Sequence, residues 1–192
     1  TGGTPTTALD SLYGMVLSLN GSSYMTAPLM SSICGNTART ISFWVKLAST
    51  STTQRAVFSY GESGTGSKVM ITMPGSSKLY EVSDGTNVTT SSSSIDTSWH
   101  FIVLRYSGGS SNATNTGSSA SGTTTVYLDG ALTITSTTVA FIDTGTDTTF
   151  MVGQDFGSVF SNFAGNLLDF RAYAKEITST VITSMYANGP ND

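Results

Sequence analysis

Hydrolysis of a glycosidic bond needs two carboxyl groups a few ångströms apart, one of them holding its proton at neutral pH. The sequence contains three glutamates, Glu62, Glu81 and Glu176, and its most closely spaced acids are Glu81 and Asp84 in "EVSD". Three residues apart on a strand, those two project from opposite faces and do not flank one bond. His100 is the only histidine and follows Trp99 in an apolar run, a setting for a packed or surface ring rather than a general base. Cys34 is the only cysteine; after Ile33 it reads as a small buried hydrophobe, with no partner for an internal disulfide. No His/Cys cluster has zinc spacing. The Gly-rich "GESGTGS" at 61–67 lacks the Lys-Ser/Thr ending of a phosphate cradle and opens no helix, so it reads as a hairpin loop. The residue types therefore point away from catalysis.

Recognition chemistry is better represented. Sugar binding uses aromatic faces with polar side chains around them. Trp44, Tyr127 and Tyr173 point away from the main apolar faces of their strands and are the candidate ligand-binding residues. The competing reading is that they fill a second apolar layer. Three glycosylation sequons, at Asn20, Asn87 and Asn112, carry no weight, because about a third of the chain is Ser or Thr.

Charge narrows the partners further. Only 10% of the 192 residues are charged and the net charge is −4, against about 25% charged residues in an ordinary domain. Eight scattered cations assemble no basic patch, which argues against nucleic acid and against anionic membranes. No apolar run approaches the length of a membrane-spanning helix, so membrane insertion is not expected.

The elements that would position these residues are mostly strands. "YGMVLSL" (13–19), "TISFWVKL" (40–47), "RAVFSY" (55–60), "KVMITM" (68–73), "SWHFIVLRY" (98–106), "TTTVYL" (123–128), "ALTIT" (131–135), "TFMVG" (149–153) and "GNLLDFRAYA" (165–174) alternate or are continuously apolar, and Gly, Ser, Asn or Asp separate them. Asp129-Gly130 predicts a two-residue hairpin turn between the sixth and seventh. In "ISFWVKL", Ile41, Phe43, Val45 and Leu47 form a core face, while Ser42, Trp44 and Lys46 form a wet one. "WHFIVLRY" is apolar on both faces and predicts a central strand covered on both sides, with Trp99 deeply buried. One helix is expected at the end: Thr178 caps it, Ile177, Val181, Ile182, Met185 and Tyr186 make its stripe, and Gly189 stops it. The polar runs at 84–96 and 107–125 read as long loops.

Taken in order, "TISFWVKL", "SWHFIVLRYSGG", "TTVYLDGAL" and "MVGQDFGSVFSNFAGNLLDFRAYAKEITSTVITSMYANG" resemble the laminin-G-like (pentraxin-like) jelly rolls of the concanavalin A-like lectin/glucanase superfamily. The resemblance implies an all-β, two-sheet antiparallel jelly-roll sandwich with one short C-terminal helix. It implies one domain over 1–192, with its core at about 12–189. The paired acids of the superfamily's glucanases, spaced E-x-D-x-E, are missing, so no enzyme is expected. The family also implies a structural Ca²⁺ held by Asp169 and by the Asn20–Ser23 loop, where Asn20 stands in place of a carboxylate. Against this, Asp169 caps a turn or pairs with Arg171 or Lys175. The functional expectation is a lectin-like recognition module on a cell, matrix or virion surface, extracellular, binding a glycan or a protein ligand. Its rival is a structural subunit of a fibre, spike or decoration assembly, acting through homo-oligomeric contacts.

Overall fold

Alternating side chains on short, Gly-punctuated runs build strands that bury one face each. The computed structural model describes residues 3–28, 30–50, 53–61, 67–73, 78–82, 88–109, 122–136, 144 and 149–190. In chain order the strands are β1 (Thr6–Asp10), β2 (Gly14–Asn20), β3 (Met25–Pro28), β4 (Arg39–Leu47), β5 (Arg55–Gly61), β6 (Lys68–Met73), β7 (Lys78–Val82), β8 (Val88–Ser94), β9 (Trp99–Tyr106), β10 (Thr124–Leu128), β11 (Ala131–Ser136), β12 (Thr149–Val152), β13 (Ser161–Asn162) and β14 (Ala164–Tyr173). A helix, α1 (Ser179–Asn188), follows them. One sheet has the order β1-β2-β14-β4-β9-β10-β11, and the other β3-β12-β5-β6-β7-β8, with β13 added parallel to β5. Every other strand pairing among the described residues is antiparallel. This is the expected jelly-roll sandwich with its terminal helix, and all nine expected strands are present.

The main core lies between the sheets, where Phe43, Phe58, Tyr60, Ile71, Ile102 and Leu104 are fully buried. A second apolar layer lies on the outer face of the first sheet, beneath α1. Strand β9 faces both: Ile102 and Leu104 enter the main core, and Phe101 and Val103 the layer under the helix. Its reading as a doubly covered central strand therefore holds. The wet face expected of β4 does not. Ser42 and Trp44 are buried, because α1 covers them and Tyr13 packs on the Trp44 ring at 5.9 Å. Trp99 is only half-buried; at the start of β9 it donates its indole N–H to Asp10 Oδ2 at 3.1 Å.

The Asp129-Gly130 turn forms as expected. Leu128 pairs with Ala131, and the two turn residues have φ of 52° and 79°, the left-handed pair that a two-residue hairpin requires. The Asp129 carboxylate accepts the Phe101 N–H at 2.8 Å and meets His100 Nδ1 at 2.8 Å. His100 Nε2 lies 3.1 Å from Asp96, so the ring bridges two carboxylates, and no serine hydroxyl contacts it among the described residues.

Strand β8 occupies part of the polar run 84–96 that read as a loop. Ser/Thr-rich strands show no apolar alternation, but "VTT" retains the β-branched residues that favour pairing. Of the other long loop, residues 110–121 lie outside the described residues, as do Glu62, Asp84, Asn87 and Asn112. Of "GESGTGS", residues 62–66 likewise lie outside the described residues; the flanking β5 and β6 are paired.

Two buried cations were not expected. Arg39 is fully buried in a cage of oxygens: it donates to Ile33 O at 2.6 Å, Thr37 O at 2.9 Å, Thr144 Oγ1 at 3.0 Å and Gly35 O. Its guanidinium lies 5.2 Å from the centre of the Tyr106 ring. Lys68 donates to Asp155 at 2.6 Å, with side chains 5% and 0% exposed. Asp155 also accepts backbone N–H groups from Gly157, Val159 and Phe160, which folds the segment after β12 over the outer face of β5 and β6.

Candidate functional site

The site is assembled around α1. Thr178 Oγ1 accepts the Val181 N–H, and Gly189 ends the helix with φ 86°, the left-handed stop that glycine favours. Ile177 and Ile182 anchor the helix in the layer formed by Trp44, Phe101, Val103 and Tyr127. Tyr186 completes the seat: its ring stacks on Trp44 at 5.8 Å and on Phe101 at 6.5 Å. The expected stripe is therefore narrower than its spacing suggested, with Val181 46% and Tyr186 39% exposed.

Beside this seat the sheet carries an irregularity. Leu168 pairs with Trp44 and Arg171 with Ser42, so Asp169 and Phe170 together oppose the single residue Phe43. Such a bulge re-aims a side chain out of the ladder, and Asp169 takes φ 52° there. Its Oδ1 accepts the Arg171 Nε–H at 2.5 Å. That hydrogen bond, with a further one that Arg171 donates to Tyr173, raises the Arg171 pKa above its ordinary value and so holds the guanidinium charged.

Between the bulge and the helix lies a cavity of about 280 Å³, lined by Trp44, Phe101, Asp169 and Arg171 from the sheet and by residues including Thr180, Ser184 and Asn188 from α1. Aromatic carbon forms the floor. A carboxylate–guanidinium pair, two hydroxyls and an amide supply donors and acceptors at the wall. Among the described residues, Asp169 is the only carboxylate in the lining, and they do not assemble the two-carboxylate geometry of glycoside hydrolysis there.

The structure thus brings Trp44 and Asp169 to one cavity. Tyr127 and Tyr173 belong to the same apolar layer as Trp44 but do not line the cavity. Tyr127 is buried under the Arg105 guanidinium, 5.3 Å from its ring centre. Asn20 is elsewhere. It pairs with Ala164, five residues from Asp169 along β14, a separation on the order of 16 Å. Its side-chain oxygen accepts the N–H groups of Ser22 and Ser23 at 2.9 and 3.0 Å, while Asp169 is paired with Arg171. Asn20 and Asp169 therefore do not fit a shared calcium ion, and the register is the reason. Among the described residues no group of three or more His, Cys, Asp or Glu side chains converges. Thr180, Ser184 and Asn188 were not singled out from sequence; their signal is the i, i+4 spacing of polar residues on the helix flank next to the stripe.

A family model described as the concanavalin A-like lectin/glucanases superfamily, of the laminin G type, matches residues 19–183. The chain belongs to that superfamily. Among solved structures, this superfamily member is similar to domain 4 of AbnA, a GH43 extracellular arabinanase from Geobacillus stearothermophilus, in complex with arabinotriose. The TM-score is 0.68 at 19% identity, over 95% of this chain and 81% of that one. It is also similar to the receptor-binding domain of botulinum neurotoxin D (TM-score 0.66, 14% identity, 95% and 46% covered) and to that of type G (0.61, 14%, 97% and 45%). The chain spans less than half of either toxin domain. No curated protein matches the sequence. At these identities the likeness is one of fold: a lectin-like β-sandwich. No helix among the described residues is long and apolar enough to cross a membrane.

Proposed function

We propose that this chain is a non-enzymatic recognition module, displayed outside the cell or on a cell or virion surface, that binds a glycan in the cavity beneath α1. The observation that carries the reading is the pairing of an aromatic floor, Trp44 and Phe101, with the Asp169–Arg171 pair and the Thr180, Ser184 and Asn188 polar groups around one cavity. Sugars present apolar C–H faces and hydroxyl edges; above the buried Trp44 and Phe101 rings, Val181 and Met185 offer hydrocarbon and the polar groups offer hydrogen bonds. The volume lies just under the ~300–1,000 Å³ range of small-molecule sites, which suits one or two sugar rings at the end of a longer chain. The arabinotriose complex of the arabinanase domain supports a sugar as ligand for this fold.

A glycan array followed by calorimetry tests the reading. Binding of a defined oligosaccharide is expected, weakened at least tenfold by Asn188→Ala and by Arg171→Ala while the melting curve of the Asn188→Ala variant stays unchanged. An array without hits, or hits that both variants retain, refutes the site. The second reading, a structural subunit acting through chain–chain contacts, draws on the exposed Leu9, Leu12 and Met15 around the β1–β2 turn; light scattering that gives a discrete oligomer favours it.

A further inference from the structure

The sandwich is closed on one side, where β11 lies against β8, and open on the other, between β2–β14 and β3–β12. A cleft of about 470 Å³ enters that opening, walled by Leu17, Phe170 and Ala172 from one sheet and by Met25 and Phe150 from the other, with Met30 beside them. Among the described residues, Asp169 is the only charged residue in its lining, and that carboxylate is bound to Arg171.

The apolar surface continues outward from the cleft. Met15, Leu17 and Leu19 alternate onto the inner face of β2. Leu19 is 3% exposed in the core, Leu17 is half-buried in the cleft, and Met15 is 59% exposed beyond it. Leu9, which pairs with Met15, is 81% exposed. The inner face of the first sheet thus extends past the last strand of the second.

The backbone bordering the cleft limits what enters. Strand β3 ends at Pro28, which has no N–H to offer a pairing strand, and the left-handed Asp169 makes the β14 ladder irregular beside the cleft. An occupant that adds as a β-strand is therefore poorly served, while one that makes contact through hydrocarbon alone is well served. The two methionines at the rim are unbranched and adapt to such a guest. We propose that the cleft binds an unbranched aliphatic chain, inserted between the sheets with its end group left at the mouth. A methylene takes up about the volume of a water molecule, roughly 30 Å³, so the cleft of about 470 Å³ holds at most about fifteen methylenes and admits a ten-carbon chain whole. The cleft opens between the sheets and the other cavity beneath α1, and the two share Asp169 in their linings.

The n-alkanols from butanol to decanol are the probe, titrated below their solubility limits by calorimetry. Saturable one-to-one binding is expected, tightening roughly fourfold per added methylene until the cleft is full. Ala27→Phe, on the exposed edge strand, and Ala172→Leu, on the opposite wall, fill the space and are expected to weaken decanol at least tenfold. Leu132→Ala, 55% exposed on the far edge of the sheet, leaves binding unchanged, and circular dichroism identifies the variants that fold. Affinity that does not rise with chain length, or that folded Ala27→Phe protein retains, overturns the proposal. So does a dimer in light scattering that Met15→Asp dissociates and decanol does not, since a second copy then covers this face.

Discussion

Removal of the Asp155 carboxylate is expected to destabilise the protein more than any change at its partner. Lys68 is 4% exposed and Asp155 0%, with the ammonium 2.6 Å from the carboxylate and 4.6 and 5.9 Å from the ring centres of Phe156 and Phe160. In Asp155→Ala the ammonium keeps only aromatic neighbours among the described residues, and the Gly157, Val159 and Phe160 N–H groups lose their acceptor. Breaking a buried pair from one side costs about 3–5 kcal/mol. At roughly 2–4 °C per kcal/mol for a domain of this size, the melting temperature should fall by on the order of 10 °C. Lys68→Met differs: the stem still packs against both rings, and Asp155 keeps its three backbone donors, so the loss is that of one charge-assisted hydrogen bond, about 1.5–3 kcal/mol. Urea unfolding of both variants at pH 7, with unchanged slope, measures the two costs. An Asp155→Ala cost below that of Lys68→Met would refute the account, because it would mean the backbone donors are not held by the carboxylate.

Three further predictions concern titration and the hairpin. Burial pushes the His100 pKa down, but its hydrogen bonds to Asp129 and Asp96 outweigh this and the net shift is upward from 6.5; the stability it contributes is full below pH 6.5 and is lost as pH rises through the folded value, so melts between pH 5.5 and 8.5 should decline more steeply in the unmodified protein than in His100→Gln. The Leu12 N–H, aided by Lys46 and Trp99 and opposed by burial, lowers the Asp10 pKa from 3.8 to about 2; its contribution is present above pH 3.8 and lost as pH falls towards 2, and Asp10→Asn should flatten acid unfolding in that window. Gly130→Ala should cost about 1–2 kcal/mol for a left-handed residue, because φ is 79° and the new methyl would sit 3.2 Å from the Tyr186 ring; an unchanged melting temperature would show that the turn relaxes.

The nine strands read from sequence share a local cause, alternating or continuous apolar runs between turn residues, and the helix has another, Thr178 and Gly189 at its ends. Two of the strands that were missed lack that cause in their sequences: all four residues of β3 are exposed, and β8 is the Ser/Thr-rich "VTTSSSS"; each is placed by ladder pairing, which is not written in one strand alone. The site divides in the same way. Trp44 and Asp169 were visible as residue types with open roles. Their meeting depends on the bulge opposite Phe43 and on where α1 lands, both set by distant segments. Asn20 failed as their companion because the β2–β14 register is also non-local. Arg39 and the Lys68–Asp155 pair have partners up to 105 residues away, and no spacing rule reaches that far.

Strand β14 lies between β2 and β4 in the first sheet, although it is the last strand made. Until residue 173 has left the ribosome, β2 and β4 have no common neighbour, and each shows an unpaired edge to other nascent chains. Loops that close over such a span slow folding, and the interval before they close is when intermolecular pairing competes. Yield from cells should therefore depend on translation rate and temperature more than the stability of the finished sandwich suggests.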